Sequence, residues 1–256
     1  GNLSALCRLN MAIIHGLLGS SASQGGFAPL DASGGDSTTT YGDFKLHRFT
    51  TSGTFTVNSL AVGGTYQNNC ISMFMVGGGG AGGDGWSALV GGNCANSGGG
   101  AGAVKYNIIA DTGTAVTASS YTVTIAASQQ SDGVMGNTTS IAGNIGGSVK
   151  TLYAGGGGGG SAMTGGNGHA TYGGSSGGGA HGAYLSVYTG GPGTAYEGSG
   201  HNWPTSSPTT THAQHAGGNQ HWNSGAGGGG GAGSAGVSSS AGASGHGHGG
   251  EPIANT

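Results

Sequence analysis

Charge is what this sequence has least of. Asp, Glu, Lys and Arg make up 5% of its 256 residues, against about 25% in an ordinary soluble domain. With Lys+Arg at 5 and no basic cluster, no face can neutralise a run of phosphates, which excludes an electrostatic grip on nucleic acid. Long apolar runs are missing as well. The longest, Met11 to Leu18 (MAIIHGLL), is interrupted by His15 and is far short of the roughly 20 residues a bilayer core needs, so no membrane insertion is expected. With Arg8 before it and GSSASQ after it, the same run has the layout both of a signal peptide and of a natural start, and both readings stay open. Carboxylates are scarce too: Asp+Glu total 8, with none between Gly198 and Gly225, so a glycosidase would lack its carboxylate pair. Ser and His are plentiful, but no G-x-S-x-G elbow sits in a strand–turn–helix setting. The sequence does not read as an enzyme. The 3 cysteines cannot all pair within the chain. Cys70 and Cys94 flank the first glycine run and could bridge, leaving Cys7, while three buried thiols is the simpler reading.

Glycine is what fills the space. It supplies 65 residues, where about 7% would be usual. Low charge argues against simple disorder, because disordered chains are held open by high net charge as well as by low hydrophobicity, and here the net charge is -3. Ordering a glycine costs roughly 0.5–1 kcal/mol more than ordering an alanine, so some repeated interaction must offset it. There is no strict Gly-X-Y period, which excludes collagen. Extended polyglycine II rods remain. Such rods have about three residues per turn and no internal hydrogen bonds, so neighbouring rods must satisfy each other's backbone groups.

Residues 1–40 combine a short apolar segment with Ser/Gly/Thr spacer, the composition of an arm that docks a body onto a larger assembly or packs on its own domain. Leu9, Ile13, Ile14, Leu17 and Leu18 are its attachment candidates, beside Cys7. From Tyr41 to residue 155 the pattern is strand-like. Phe44, Leu46 and Phe49, then Phe55 and Val57, read as a hairpin about Ser52-Gly53, followed by strand candidates at Asn69 to Val76, Ala101 to Ala110, Ser119 to Ala127 and Val149 to Gly155. Short strands separated by Gly, Asn and Ser predict an all-β fold with little helix: an antiparallel β-sandwich or jelly roll. Residues 156–256 are then a glycine-rich, polyglycine II-like extension.

Gly77-Gly78-Gly79-Gly80-Ala81-Gly82 satisfies G-x-G-x-x-G after a strand candidate, but glycine at this density produces the pattern by chance, and no helix follows to hold a pyrophosphate. A different signal lies in the order of several blocks. FTTSGTFTV (Phe49 to Val57), MFMVGGGGAGG (Met73 to Gly83), GGGAGAVKYNII (Gly98 to Ile109), YTVTIAA (Tyr121 to Ala127), GNTTSIAG (Gly136 to Gly143) and YAGGGGGG (Tyr153 to Gly160) together resemble the glycine-rich domain of bacteriophage virion fibres and tail-tip adhesins. The resemblance covers residues 49–160 and continues by composition to about Gly236. It implies a small β-sandwich or jelly roll with glycine-rich loops, packed in some members as a polyglycine II lattice whose tip loops meet the host surface. AASQQSDGVMGN and the stretch Gly198 to Gly225 depart from the family's pattern.

That second departure, with Tyr196 just before it, holds the candidate receptor site: His201, Asn202, Trp203, His212, His215, His221 and Trp222, with Asn219 among them. Aromatic faces beside imidazole and amide donors suit a sugar, whose apolar face stacks while its hydroxyls take hydrogen bonds. Capping of the glycine lattice by the tryptophans is the structural alternative. His212-x-x-His215 and His246-x-His248 could each offer two metal ligands, but neither is a zinc signature and nothing completes the set, so neither metal nor other cofactor is expected. The resemblance implies a virion protein exposed on the particle surface and assembled in a reducing host cytoplasm, where disulfides are not the default. Its partners would be other virion proteins through the N-terminal arm and a host cell-surface glycan or protein. Fibres of this kind are homo-oligomers, commonly trimers, whereas tip adhesins can be monomers. A capsid decoration or fibre protein without a receptor role, and an extracellular structural or ice-binding protein, are the rival readings.

Overall fold

The computed structural model describes residues 12–17, 28–42, 44–63, 69–83, 97–107, 114–127, 131, 133–160, 210–212, 215, 217, 227–231, 233–238 and 249–250. Among these residues the elements are strands, turns and extended glycine segments, with no α-helix. The strands are β1 (Ala12–Leu17), β2 (Asp31–Ser33), β3 (Ser37–Tyr41), β4 (Phe44–Phe49), β5 (Gly53–Ser59), β6 (Cys70–Val76), β7 (Val104–Asn107), β8 (Thr114–Ala115), β9 (Ser120–Thr124), β10 (Thr139–Ile145), β11 (Ser148–Ala154) and β12 (Thr210–His212). They form two antiparallel sheets. The 7-stranded sheet runs β12-β7-β6-β1-β4-β3, with β8 also on β6, and the 5-stranded sheet runs β11-β10-β9-β5-β2.

Period-two alternation decides which side chains meet between the sheets. Phe49, Ile71, Met73 and Met75 of the larger sheet share one buried cluster with Phe55, Val57, Tyr121, Val123, Ile141, Ile145, Leu152 and Ala154 of the smaller. The fold is therefore all-β, as expected, with two antiparallel sheets about a common core. Tyr121 is fully buried and its hydroxyl is satisfied: it accepts from the Thr117 N–H at 2.7 Å and donates to the Asn144 carbonyl at 2.9 Å. Gly143 on the neighbouring strand makes room for it, because a Cβ there would strike the Tyr121 ring.

The expected hairpin about Ser52-Gly53 is not formed. β4 pairs with β1 and β3 in the larger sheet, whereas β5 pairs with β2 and β9 in the smaller. The turn at residues 50–52 is a corner between sheets, and it lets Phe49 and Phe55 enter the core from opposite sides. Two tight hairpins lie elsewhere among the described residues. β3 turns into β4 near Gly42, and β10 turns into β11 through Gly146 and Gly147, whose φ of 61° and 82° are the paired positive values of a two-residue hairpin turn.

The described part of the first 40 residues, 12–17 and 28–40, is built into the two sheets and not set apart as an arm. β1 lies inside the larger sheet, with Ile13 opposite Arg48 on β4 and Phe74 on β6, and Ile14 opposite His47 and Met73. Leu17 ends the same strand opposite Phe44. Residue 40 falls within β3, and β11 ends at Ala154. Leu9 and Leu18 lie outside the described residues, as do Cys7 and Cys94. Cys70 is buried on β6.

Candidate functional site

The glycine segments begin where the central strands stop. Segment I (residues 77–83) leaves the end of β6, and segment II (97–103) enters β7. Segment III (133–137) precedes β10, and segment IV (155–160) leaves the end of β11. Segments I and II thus extend the larger sheet, and III and IV extend the smaller. A buried threonine closes the core at this point: Thr139 Oγ1 donates to the Val76 carbonyl at 2.6 Å and accepts from the Ala126 N–H at 3.2 Å, tying one sheet to the other.

Beyond that tie the two layers merge. Packed sheets stand about 10 Å apart because side chains fill the gap. Without side chains, the segments approach to hydrogen-bonding distance. In segment I the N–H groups of Gly77, Gly80 and Gly83 donate to Ala103, Gly100 and Ser97 of segment II, at 2.9, 2.9 and 3.0 Å. Those of Gly78 and Ala81 donate to Asn137 and Val134 of segment III, at 2.9 and 3.0 Å. The carbonyls of Gly78 and Ala81 accept from Gly157 and Gly160 of segment IV, both at 2.8 Å.

The period is three. Residues 77, 80 and 83 face one neighbour, and residues 78 and 81 face others. Segment II repeats the pattern, donating from Gly100 and Ala103 to segment IV, and from Gly98 and Ala101 to segment V (227–231). A β-ladder would alternate with period two, so these segments are not strands continued under another name. Close approach explains the composition at particular positions. A Cβ on Gly77 or Gly80 would overlap a carbonyl of Gly155 or Gly158, and one on Gly102 or Gly99 would overlap a carbonyl of Gly77 or Gly80. Each buried backbone group left unpaired would cost about 1–3 kcal/mol, so mutual satisfaction is what offsets the entropy of ordering so much glycine.

Of the residues expected to meet a receptor, the backbone of His212 and the half-buried His215 are described. Tyr196, His201, Asn202, Trp203, His221 and Trp222 lie outside the described residues. β12 pairs antiparallel with β7, placing His212 opposite Val104 and Thr210 opposite Tyr106. Segment V then lies along segment II, where Gly227 and Gly230 accept from Gly98 and Ala101. The connection 213–226, which carries His215, His221 and Trp222, is therefore held at both ends by one continuous stretch, residues 98–106. Sequence reading missed this anchoring, because Thr210–His212 is too short to show an alternating pattern. Beside β12 and β7, Phe74 and Tyr106 stack with centroids 6.4 Å apart. No group of three or more His, Cys, Asp or Glu converges among the described residues.

Two titratable groups stand out in the body. The Asp36 carboxylate accepts from the N–H and hydroxyl of Thr50 (2.5 and 2.7 Å) and from those of Thr51 (2.9 and 2.7 Å). Those bonds, led by the Thr50 N–H, hold its pKa far below the carboxylate range. His47 is fully buried against Phe55, with ring centroids 5.3 Å apart. Its Nδ1–H donates to the Gly34 carbonyl at 2.8 Å, Nε2 has no partner, and burial pushes the pKa down. Both serve the fold, and neither adjoins the glycine segments.

Comparison with family models, with curated proteins and with solved structures gives no match.

Proposed function

We propose that this chain is a structural protein of a bacteriophage virion, a tail fibre or adhesin that recognises a receptor on a bacterial surface, with a glycan as the ligand class. The observation that carries the reading is the period-three hydrogen bonding of segments I to V. It matches the three-residue turn of polyglycine II, the form in which some of the fibre and adhesin domains that the sequence resembles pack their glycine-rich loops. On this reading the sandwich is the base and the glycine segments are the shaft. The residues between β12 and segment V, with those before β12, present Tyr196, His201, Asn202, Trp203, His212, His215, His221 and Trp222 to the receptor. A rigid backbone frame suits the purpose, since loops held at their ends lose less entropy when they bind.

Binding of the parent protein to candidate host cells and to their purified surface polysaccharide, beside Trp203→Ala and Trp222→Ala, tests the proposal. Saturable binding that either substitution weakens on the order of tenfold or more, in a protein with unchanged melting temperature, is the expected result. A folded parent that binds neither cells nor polysaccharide would overturn the receptor role and turn attention to a shell protein.

A further inference from the structure

Each sheet edge is a row of backbone groups that another chain can pair with, and proteins guard such edges with short strands, bulges, charge or proline. Three of the edges here carry a guard. β2 is a 3-residue strand whose register breaks between Asp31 and Ala32. β12 is also 3 residues long, and β11 carries Lys150 within its span.

β3 carries none. It is the outermost strand of the larger sheet, Ser37-Thr38-Thr39-Thr40-Tyr41, in unbroken register with β4. All 5 of its residues are exposed, with Tyr41 at 72% and its partner Phe44 at 42%. Uncharged β-branched and aromatic residues favour the extended state, so this strand is a template without protection.

We propose that β3 is a homodimer interface, pairing antiparallel with β3 of a second copy about a two-fold axis at Thr39. A two-fold axis perpendicular to a sheet always sets a self-paired strand antiparallel, which is the orientation of every pair in this sheet. In this register Thr39 faces Thr39, Thr38 faces Thr40, and Ser37 faces Tyr41. Cross-strand Thr pairs are favourable, and like charges directly opposite are not. No like charges are opposed: Asp36 would fall opposite Gly42, and its carboxylate is already held by Thr50 and Thr51. Ser37, Thr39 and Tyr41 share one face of the strand, so the two copies of Tyr41 flank the central threonine pair. The two larger sheets become one continuous sheet. A second copy is preferred to an unrelated strand because the self-complementary register uses the whole length of β3 without leaving a charge unpaired. The inference stands apart from the receptor role, since it uses no residue of the His/Trp stretch.

Sedimentation velocity of the full chain over a concentration series is the test, with Thr39→Lys beside the parent. The expected result is a parent dimer and an association weakened on the order of tenfold in Thr39→Lys, where two ammonium groups oppose each other. Under mild oxidant Thr39→Cys should form a covalent dimer far more than Ser37→Cys, whose mate is Tyr41, with the parent measured alongside to count its own cysteines. A monomeric or trimeric parent, a dimer indifferent to Thr39→Lys, or equal cross-linking at both positions would overturn the proposal.

Discussion

A Cβ added at Gly80 would overlap the carbonyl oxygen of Gly158 and lie 2.7 Å from that of Gly157, whereas at Gly79 the nearest atom, the Gly100 carbonyl oxygen, is 3.8 Å away. Neither glycine has a positive φ, so conformation does not forbid a side chain at either position. Space alone separates them. Gly80→Ala is expected to destabilise by at least the 1–3 kcal/mol typical of overpacking, because the obstacle is backbone and cannot rotate away. Gly79→Ala should be neutral or stabilise by about 0.4–1 kcal/mol through the unfolded chain. Urea denaturation of the two variants checks both signs, and equal destabilisation would contradict the packing described. The sequence shows a glycine-rich run at this point but not its phase. Which glycines face a neighbour depends on partners far along the chain. Gly143 shows the same limit: nothing beside it in sequence points to the Tyr121 ring it accommodates.

The corner between β4 and β5 was misread from sequence for a physical reason. Alternation at Phe44 to Phe49 and again at Phe55 to Val57 correctly marks two strands, and Ser52-Gly53 correctly marks a turn. Alternation records which face is buried and does not record which strand is adjacent. The corner is fixed by Asp36, on the far side of β3, through its bonds to Thr50 and Thr51. Its lowered pKa sets a pH dependence. The unfolded carboxyl takes up a proton near its ordinary value of 3.8 while the folded one resists, so the contribution is present above that pH and is lost as pH falls below it. His47 adds a loss that begins higher. Its folded pKa lies below the ordinary 6.5, so from about that pH downward the unfolded state binds the extra proton. Thermal melts between pH 7.5 and 2.5 should show both declines, and Asp36→Asn should be less stable at neutral pH while flattening the lower decline alone. The hairpin at Gly146-Gly147 was available in principle, since paired glycines between short alternating stretches are its signature.

Across the molecule, strand existence in the middle of the chain was legible and topology was not. The apolar run at Asn69 to Val76 and the alternation about Tyr121 appear as β6 and β9, because burial on one or both faces writes itself into local pattern. β1 was read as an arm because its apolar residues stand alone between spacers. Its place between β4 and β6 rests on partners about 30 and 60 residues away, a non-local pairing that no local window contains. Composition alone argued that ordered glycine segments must satisfy each other's backbone groups. That they root in both sheets was not legible, because the merging depends on where four strands end. Amide hydrogen exchange tests this arrangement over the whole frame. The N–H groups of residues 77, 78, 80, 81 and 83 have carbonyl partners, while those of Gly79 and Gly82 have none among the described residues and lie exposed. Protection should therefore lapse at every third residue along segment I. A period of two would indicate an ordinary β-ladder instead.

The contacts that hold segments I to IV together run almost entirely between main-chain atoms, and every amino acid has the same main chain. Such a frame places few demands on the identity or length of whatever joins one segment to the next, provided the segments themselves stay bare. Selection can then rewrite the connecting stretches, residues 84–96 or 213–226 among them, without a compensating change in a hydrophobic interior. Inheritance of the scaffold and turnover of its connecting sequence become separate matters.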